Sequence, residues 1–259
     1  MSTSNAATSS SISRMAPAFI GLMGISALAI LVDGLLRMGP LHYLEFFTLL
    51  LLGALTSRLK LKLPGLTGNM SVNLPFIFIA MTQLSLVEVM VVAGASIFTQ
   101  SLPERGEKFR PVRVLFNVST ALVAAGLGCE IFNRLSAAPS DWSHTTFALV
   151  FACATYFLVN TLAVAIVISL TEHLNPLRTW SDIAHLSFPN YLGSTGLAAM
   201  VASIGGHTSW TVLAAILLVT FVTYRCYRLY FGLANAALPA PTGGGLLQST
   251  RQKSAAAAN

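Results

Sequence analysis

The sequence predicts an all-α protein: a polytopic membrane helix bundle of about seven or eight membrane segments, one of them short or re-entrant. Hydrophobic residues make up 54% of the 259 residues and charged residues only 9%. Soluble domains, by contrast, carry about 25% charged residues. Several apolar runs also reach the roughly 20 residues that a helix needs to cross the hydrocarbon core of a bilayer. A chain with this composition is expected to place most of its surface in lipid.

The net charge of +6 is interpreted as a feature of membrane topology, because cytoplasmic loops of membrane proteins collect lysine and arginine. Nucleic-acid binding is not expected, since no basic helix or aromatic-basic pattern lies outside the apolar runs. The cysteines Cys129, Cys153 and Cys226 lie within apolar runs and form no CxxC pair, so neither a disulfide framework nor a zinc site is predicted. No metal or other cofactor is expected.

The chain divides into three predicted regions. Residues 1–15 are rich in Ser, Ala and Thr and residues 232–259 in Ala, Pro, Gly, Ser and Thr, so both are expected to be disordered. Residues 16–231 form a single transmembrane domain, whose first apolar run is expected to be retained rather than cleaved. The predicted membrane helices are 17–36, 41–55, 74–81, 84–100, 114–135, 146–170, 188–204 and 209–231. An amphipathic piece capped by Asn175 is expected to lie along the cytoplasmic surface.

The stretch from residue 74 to 102 is too long for one membrane helix. At 1.5 Å per residue it would extend about 43 Å, against a hydrocarbon core of roughly 30 Å. Polar residues interrupt it at Gln83, Ser85 and Glu88, so a break is predicted near Gln83. Whether the short helix before the break crosses the bilayer or re-enters it is left open.

The break is supported by the distribution of positive charge. With a break, the basic segments 58–62 and 104–113 lie on the same side of the membrane, and only Arg37 and Arg134 fall on the other side. Because positive residues concentrate in the cytoplasm, we predict a multi-pass protein of the bacterial inner membrane with both termini cytoplasmic.

Polar side chains within apolar runs are the candidate ligand-binding residues, because such groups are costly in lipid. They are Glu88, Asn117, Tyr156, Asn160 and Asn190. We expect Glu88, Asn117 and Asn160 to share one polar pocket. The alternative for the asparagines is hydrogen bonding between helices that approach closely along stripes of small residues.

Other polar and glycine positions have a structural interpretation. Asp33 with Arg37, and Glu130 with Arg134, are spaced for ion pairs at i,i+4. The glycines of the segment 188–196 favour either close packing or a broken helix.

Catalytic motifs of known enzyme classes are missing from the sequence. It contains no GxSxG, Walker A, HExxH or Rossmann glycine pattern. We therefore do not expect an enzyme.

The order of several short motifs is similar to that of a known family. A basic loop contains Leu63-Pro-Gly65, one helix opens with Phe116-Asn117, another contains Phe157 to Asn160, and the last ends in Tyr224 to Tyr230. In this the chain resembles the membrane sensory regions of the MASE type, which lie upstream of GGDEF or HD-GYP signalling domains in bacteria. In this sequence the last predicted helix is followed by the tail 232–259, so we expect a member of this type without the signalling domain.

The resemblance implies a non-catalytic sensory or ligand-binding module of a bacterial signalling system. Its expected partners are the lipid bilayer, a small-molecule ligand and a cytoplasmic signalling protein, while a homo-oligomer is left open. The alternative is a small-solute transporter, or the membrane substrate-binding subunit of one, because a re-entrant segment and intramembrane polar residues suit that function equally.

Overall fold

A computed structural model describes residues 3–62, 69–103, 109–137, 142–204 and 210–237. Within these ranges the chain forms eight helices and one short two-stranded ribbon. The elements are α1 (Thr3–Leu36), α2 (Tyr43–Thr56), β1 (Lys60–Lys62), β2 (Asn69–Ser71), α3 (Leu74–Gln83), α4 (Leu86–Ser101), α5 (Pro111–Ser136), α6 (Trp142–Glu172), α7 (Pro176–Ser203) and α8 (Trp210–Ala237). The predicted all-α membrane bundle is thereby confirmed, and the ribbon is an addition to it.

Length and composition identify the helices that could cross a membrane. In the described part of the chain four qualify: Met15–Leu36, Pro111–Ser136, His144–Glu172 and Thr211–Tyr230. Three further apolar helices are shorter: α2, α3 and α4. Large apolar side chains are exposed on the outer faces of the bundle, as on α1 at Ile25 and on α8 at Leu218. A water-soluble protein would bury many of these, and the chain is therefore a membrane protein.

The predicted break near Gln83 is confirmed, because α3 ends at Gln83 and α4 begins at Leu86. Helix α3 is about 15 Å long, and its residues 74–81 are buried. The ribbon before α3 lies beside the end of α4, since Lys60 Nζ donates to the carbonyl of Leu102 over 2.8 Å. The end of the bundle that contains β1, β2 and the last residues of α4 is called the hairpin end. Helix α3 leads away from it and α4 returns to it.

The antiparallel ribbon pairs Lys60 with Ser71, Leu61 with Met70 and Lys62 with Asn69. It follows α2 directly and brings the first basic segment next to the start of α5. Lys60 of the first basic segment therefore lies at the same end of the bundle as Arg110 and Arg113 of the second, as the charge distribution predicted. The predicted Leu63-Pro-Gly65 motif lies outside the described residues.

Three predicted boundaries differ from the structure by more than about five residues. Helix α1 begins at Thr3 rather than at residue 17, so Pro17 lies inside it. Helix α8 continues to Ala237 instead of ending at 231. The predicted surface piece and the following helix 188–204 form one continuous helix, α7, with Pro189 inside it.

The prediction of a separate surface piece was wrong because α7 packs against α6 from its first turns. Asn175 does cap α7, with its side-chain oxygen accepting from the backbone N–H of Leu177 at 3.0 Å. Trp180 Nε1, however, donates to Thr161 Oγ1 of α6 at 3.1 Å rather than facing the membrane surface. Membrane helices tolerate an internal proline when neighbouring helices support them.

Helix α5 occupies the centre of the bundle because small residues let its neighbours approach. A Cβ atom at Gly126 would lie 2.6 Å from Ile30 Cγ2 of α1, and one at Gly128 would lie 3.0 Å from the carbonyl oxygen of Ala152 in α6. The small residues Ala121, Ala124 and Gly128, which are spaced to share one face of α5, are buried. They serve close helix packing.

Candidate ligand-binding site

Glu88, the charged residue predicted to bind a ligand, is buried at the start of α4. Its Oε2 accepts hydrogen bonds from the backbone N–H of Ser85 at 2.9 Å and from Ser85 Oγ at 2.7 Å. Its Oε1 accepts from the backbone N–H of His42 at 3.1 Å. Glu88 thus completes a capping box and ties α4 to the segment between α1 and α2. The Ser85-x-x-Glu88 spacing was the sequence signal for this role.

The expected pocket shared by Glu88, Asn117 and Asn160 is not formed. Asn117 Nδ2 donates to Ser101 Oγ at 3.3 Å, near the hairpin end. Ser101 follows Glu88 by 13 residues on the same helix, a distance of about 20 Å at 1.5 Å per residue. Glu88 and Asn117 therefore lie at opposite ends of α4, and Asn160 has partners elsewhere.

Asp33 and Glu130 form the predicted ion pairs. Arg37 contacts Asp33 at 2.9 Å, and Arg134 contacts Glu130 at 2.8 Å, both at i,i+4 spacing. Among the described residues, no group of three or more His, Cys, Asp or Glu side chains could hold a metal ion.

Tyr156 and Asn160 meet α7 in an aromatic cluster. The ring centroids of Phe78 and Tyr156 are 5.5 Å apart, those of Tyr156 and Tyr191 6.1 Å, and those of Phe157 and Tyr191 4.9 Å. Asn160 Nδ2 donates to the hydroxyl oxygen of Tyr191 at 2.8 Å. The cluster joins α3, α6 and α7. Sequence reasoning missed Tyr191, although it is the aromatic residue next to Asn190.

Asn190, the fifth predicted residue, lines a cavity of about 310 Å³ bounded by α3, α7 and α8. We call it the α7 cavity. Ser194 lies one turn further on the same helix and donates its hydroxyl to the carbonyl of Asn190 at 2.6 Å. Thr220 of α8 lies in the opposite wall. Its Oγ1 is buried and has no hydrogen-bond partner among the described residues.

The glycines of α7 give this cavity its space. A Cβ atom at Gly193 or at Gly196 would meet no atom within 4 Å, and both residues line the cavity. The helix is unbroken here, so neither expected role of these glycines, close packing or a helix break, is found. Consecutive helical residues point about 100° apart. Asn190 and Tyr191 therefore direct their side chains to adjacent faces of α7, one beside the cavity and the other into the aromatic cluster.

Comparison with known proteins identifies a family, while no curated protein and no solved structure matches the chain. The model of the MASE9 family matches residues 29–204. This range covers more than half of the chain and extends from within α1 to the end of α7, including the aromatic cluster and most of the α7 cavity. The chain therefore belongs to the MASE9 family, a family of membrane-associated sensory domains of the MASE type.

Proposed function

We propose that this protein is a non-catalytic sensory module that binds a small molecule in the α7 cavity. The hydroxyl of Thr220 carries this proposal. Threonines in helices commonly donate to a backbone carbonyl one turn earlier, as Thr161 and Thr195 do here. Thr220 lines the cavity, and its Oγ1 is buried with no such partner among the described residues. A buried polar group left unpaired costs about 1–3 kcal/mol, and a ligand that hydrogen-bonds to it would remove that cost.

The lining of the cavity defines the class of ligand. No charged side chain is among its described lining residues, and the polar ones are Asn190, Ser194, Thr220 and Thr223. The remaining wall is largely apolar. Ligand pockets of about 300–1,000 Å³ are typical for small molecules, so 310 Å³ suits a small one. The expected ligand is uncharged and mostly apolar, with one or two hydrogen-bonding groups.

Helix α8 is the element that could report occupancy. It supplies Thr220 to the cavity wall, and about one and two turns later Tyr224 and Tyr227 pack against Val72 at the hairpin end. A ligand that prefers one position of α8 shifts the population toward that position. By the positive-inside rule, the basic hairpin end faces the cytoplasm of a bacterial inner-membrane protein. A cytoplasmic signalling protein would then recognise the change there.

The test fills the cavity and compares the result with an equivalent change elsewhere. Gly193→Leu places a large side chain in the cavity, whereas Gly21→Leu places one on the outer face of α1, where a Cβ atom also meets nothing within 4 Å. The full chain is purified in mild detergent, and its thermal unfolding is measured with and without a small-molecule extract of bacterial membranes. We expect the extract to stabilise the wild type and Gly21→Leu, but not Gly193→Leu.

Thr220→Val is the second variant, because it preserves shape and removes only the hydroxyl. We expect it to retain less of the stabilising compound, as measured by mass spectrometry of what remains bound. Equal stabilisation of the wild type, Gly193→Leu and Thr220→Val would overturn the assignment of the α7 cavity.

A further inference from the structure

A second cavity, of about 410 Å³, lies at the hairpin end between the end of α4 and the start of α5. Three cationic residues line it: Lys60 of β1, Arg110 just before α5 and Arg113 in its first turn. Asn117 lines it one turn further along α5 and bonds to Ser101 of α4. We call this the basic cavity. It is separate from the α7 cavity, with which it shares no lining residue.

The charges around the basic cavity favour an anion. No acidic residue is among its described lining residues. The C-terminal end of α4 carries partial negative charge, but the ammonium group of Lys60 bonds to the Leu102 carbonyl there at 2.8 Å and offsets it. The connecting segment 104–108 contains two acidic and two basic residues and so adds no net charge. Arginine side chains donate in a planar fork that fits the oxygens of a phosphate group.

Apolar side chains beside the cavity indicate the source of the phosphate. Val112 and Leu115 flank Arg113 on α5 and are 61% and 59% exposed, and Phe109 at the rim is 52% exposed. Tyr224 and Tyr227 of α8 lie at the same end of the bundle, and tyrosines are common at the membrane–water interface. A soluble anion would gain nothing from the exposed apolar surface, whereas lipid acyl chains would cover it.

We propose that the basic cavity binds the phosphate headgroup of an anionic phospholipid. Arg110 and Arg113 donate to the phosphate oxygens, and the acyl chains lie along the exposed face of α5 that carries Val112 and Leu115. Basic pockets between membrane helices are suited to such headgroups. The site would link the protein to the charge of the surrounding lipid.

The experiment counts bound lipid by native mass spectrometry of the full chain in detergent, with phosphatidylglycerol or phosphatidylcholine added. The test variant is Arg110→Gln with Arg113→Gln, and the control is Arg134→Gln, which removes one positive charge at the other end of α5. Each cation near an anionic surface contributes about fivefold to affinity. We therefore expect the double variant to bind phosphatidylglycerol about twenty-fivefold more weakly, and the control to bind it as the wild type does.

Two results would overturn the proposal. One is retention of phosphatidylglycerol by the double variant at the level of the Arg134→Gln control. The other is displacement of the lipid by millimolar inorganic pyrophosphate together with equal stabilisation by pyrophosphate alone, which would assign the cavity to a soluble phosphate compound. If the double variant does not fold, Lys60→Gln provides the same comparison, with a predicted loss of about fivefold.

Discussion

Replacing Glu88 by glutamine should destabilise the folded protein through the loss of one identifiable hydrogen bond. The carboxylate accepts two hydrogen bonds from Ser85 on one oxygen and one from the His42 backbone on the other. Glutamine has only one acceptor oxygen. We expect that oxygen to stay with Ser85, where two donors converge and where glutamine also completes a capping box. The amide nitrogen then faces the N–H of His42, and two donors oppose each other.

The magnitude follows from the type of bond that is lost. A hydrogen bond to a charged group contributes about 1.5–3 kcal/mol to stability, so Glu88→Gln should lower the free energy of unfolding by that amount. Glu88→Ala also removes the helix cap, at a further cost of about 1 kcal/mol. The alanine variant should therefore lose about 2.5–4 kcal/mol. A free energy of unfolding that decreases from the wild type to the glutamine variant and again to the alanine variant is specific to a carboxylate that anchors two segments.

The assay is reversible unfolding in mixed micelles, followed by tryptophan fluorescence. Trp180, whose ring nitrogen donates to Thr161, reports on the α6–α7 contact. Glu45→Gln is the matched control, because Glu45 lies in the first turn of α2 near the same end of the bundle. It should change stability by less than about 1 kcal/mol. If Glu88→Gln is as stable as the wild type, the carboxylate is not an anchor and its role in ligand binding must be reconsidered.

Three further predictions use the same unfolding assay. Gly128→Ala should lower the free energy of unfolding by about 1–2 kcal/mol, because a backbone carbonyl lies 3.0 Å from the new Cβ atom. Gly193→Ala should raise it by up to about 1 kcal/mol, and changes of the same sign in the two variants would contradict the described packing. Tyr191→Phe and Asn160→Leu should each lower the free energy of unfolding by about 0.6 kcal/mol, because each removes the same hydrogen bond. If the two losses simply add in the double variant, that bond contributes nothing to stability. Asn175→Ala should lower the free energy of unfolding by about 1 kcal/mol, because it removes the cap of α7. An unchanged unfolding midpoint would argue against this role of Asn175.

The features that could be predicted from the sequence depend on short separations or on bulk properties. The break near Gln83 followed from the length of the bilayer core and from the side on which the basic segments must lie. The ion pairs Asp33–Arg37 and Glu130–Arg134 followed from helical periodicity. The residues of each ion pair lie about one helical turn apart, and the break follows from segment length and from the positions of the basic residues. Neither inference needs knowledge of how the helices pack.

The candidate site required the tertiary arrangement because a polar residue in an apolar run has several competing explanations. Glu88 finds its third donor 46 residues away at His42, and Asn160 finds its partner 31 residues away at Tyr191. Neither separation leaves a periodic signal in the sequence. Both side chains were predicted to serve a ligand, and both are used to join segments of the bundle. Their polarity indicated that a partner exists, but not which one.

The glycines are a further case in which the sequence alone does not determine the role of a residue. Gly128 and Gly193 both lie within apolar membrane helices, and composition alone gives them the same interpretation. A Cβ atom at Gly128 would meet the backbone of α6, whereas one at Gly193 would meet open space in the α7 cavity. Because glycine only removes a side chain, it permits either a close contact or an opening. The neighbouring helix decides between the two, and at Gly193 that neighbour is α8, which contributes Thr220 to the cavity wall.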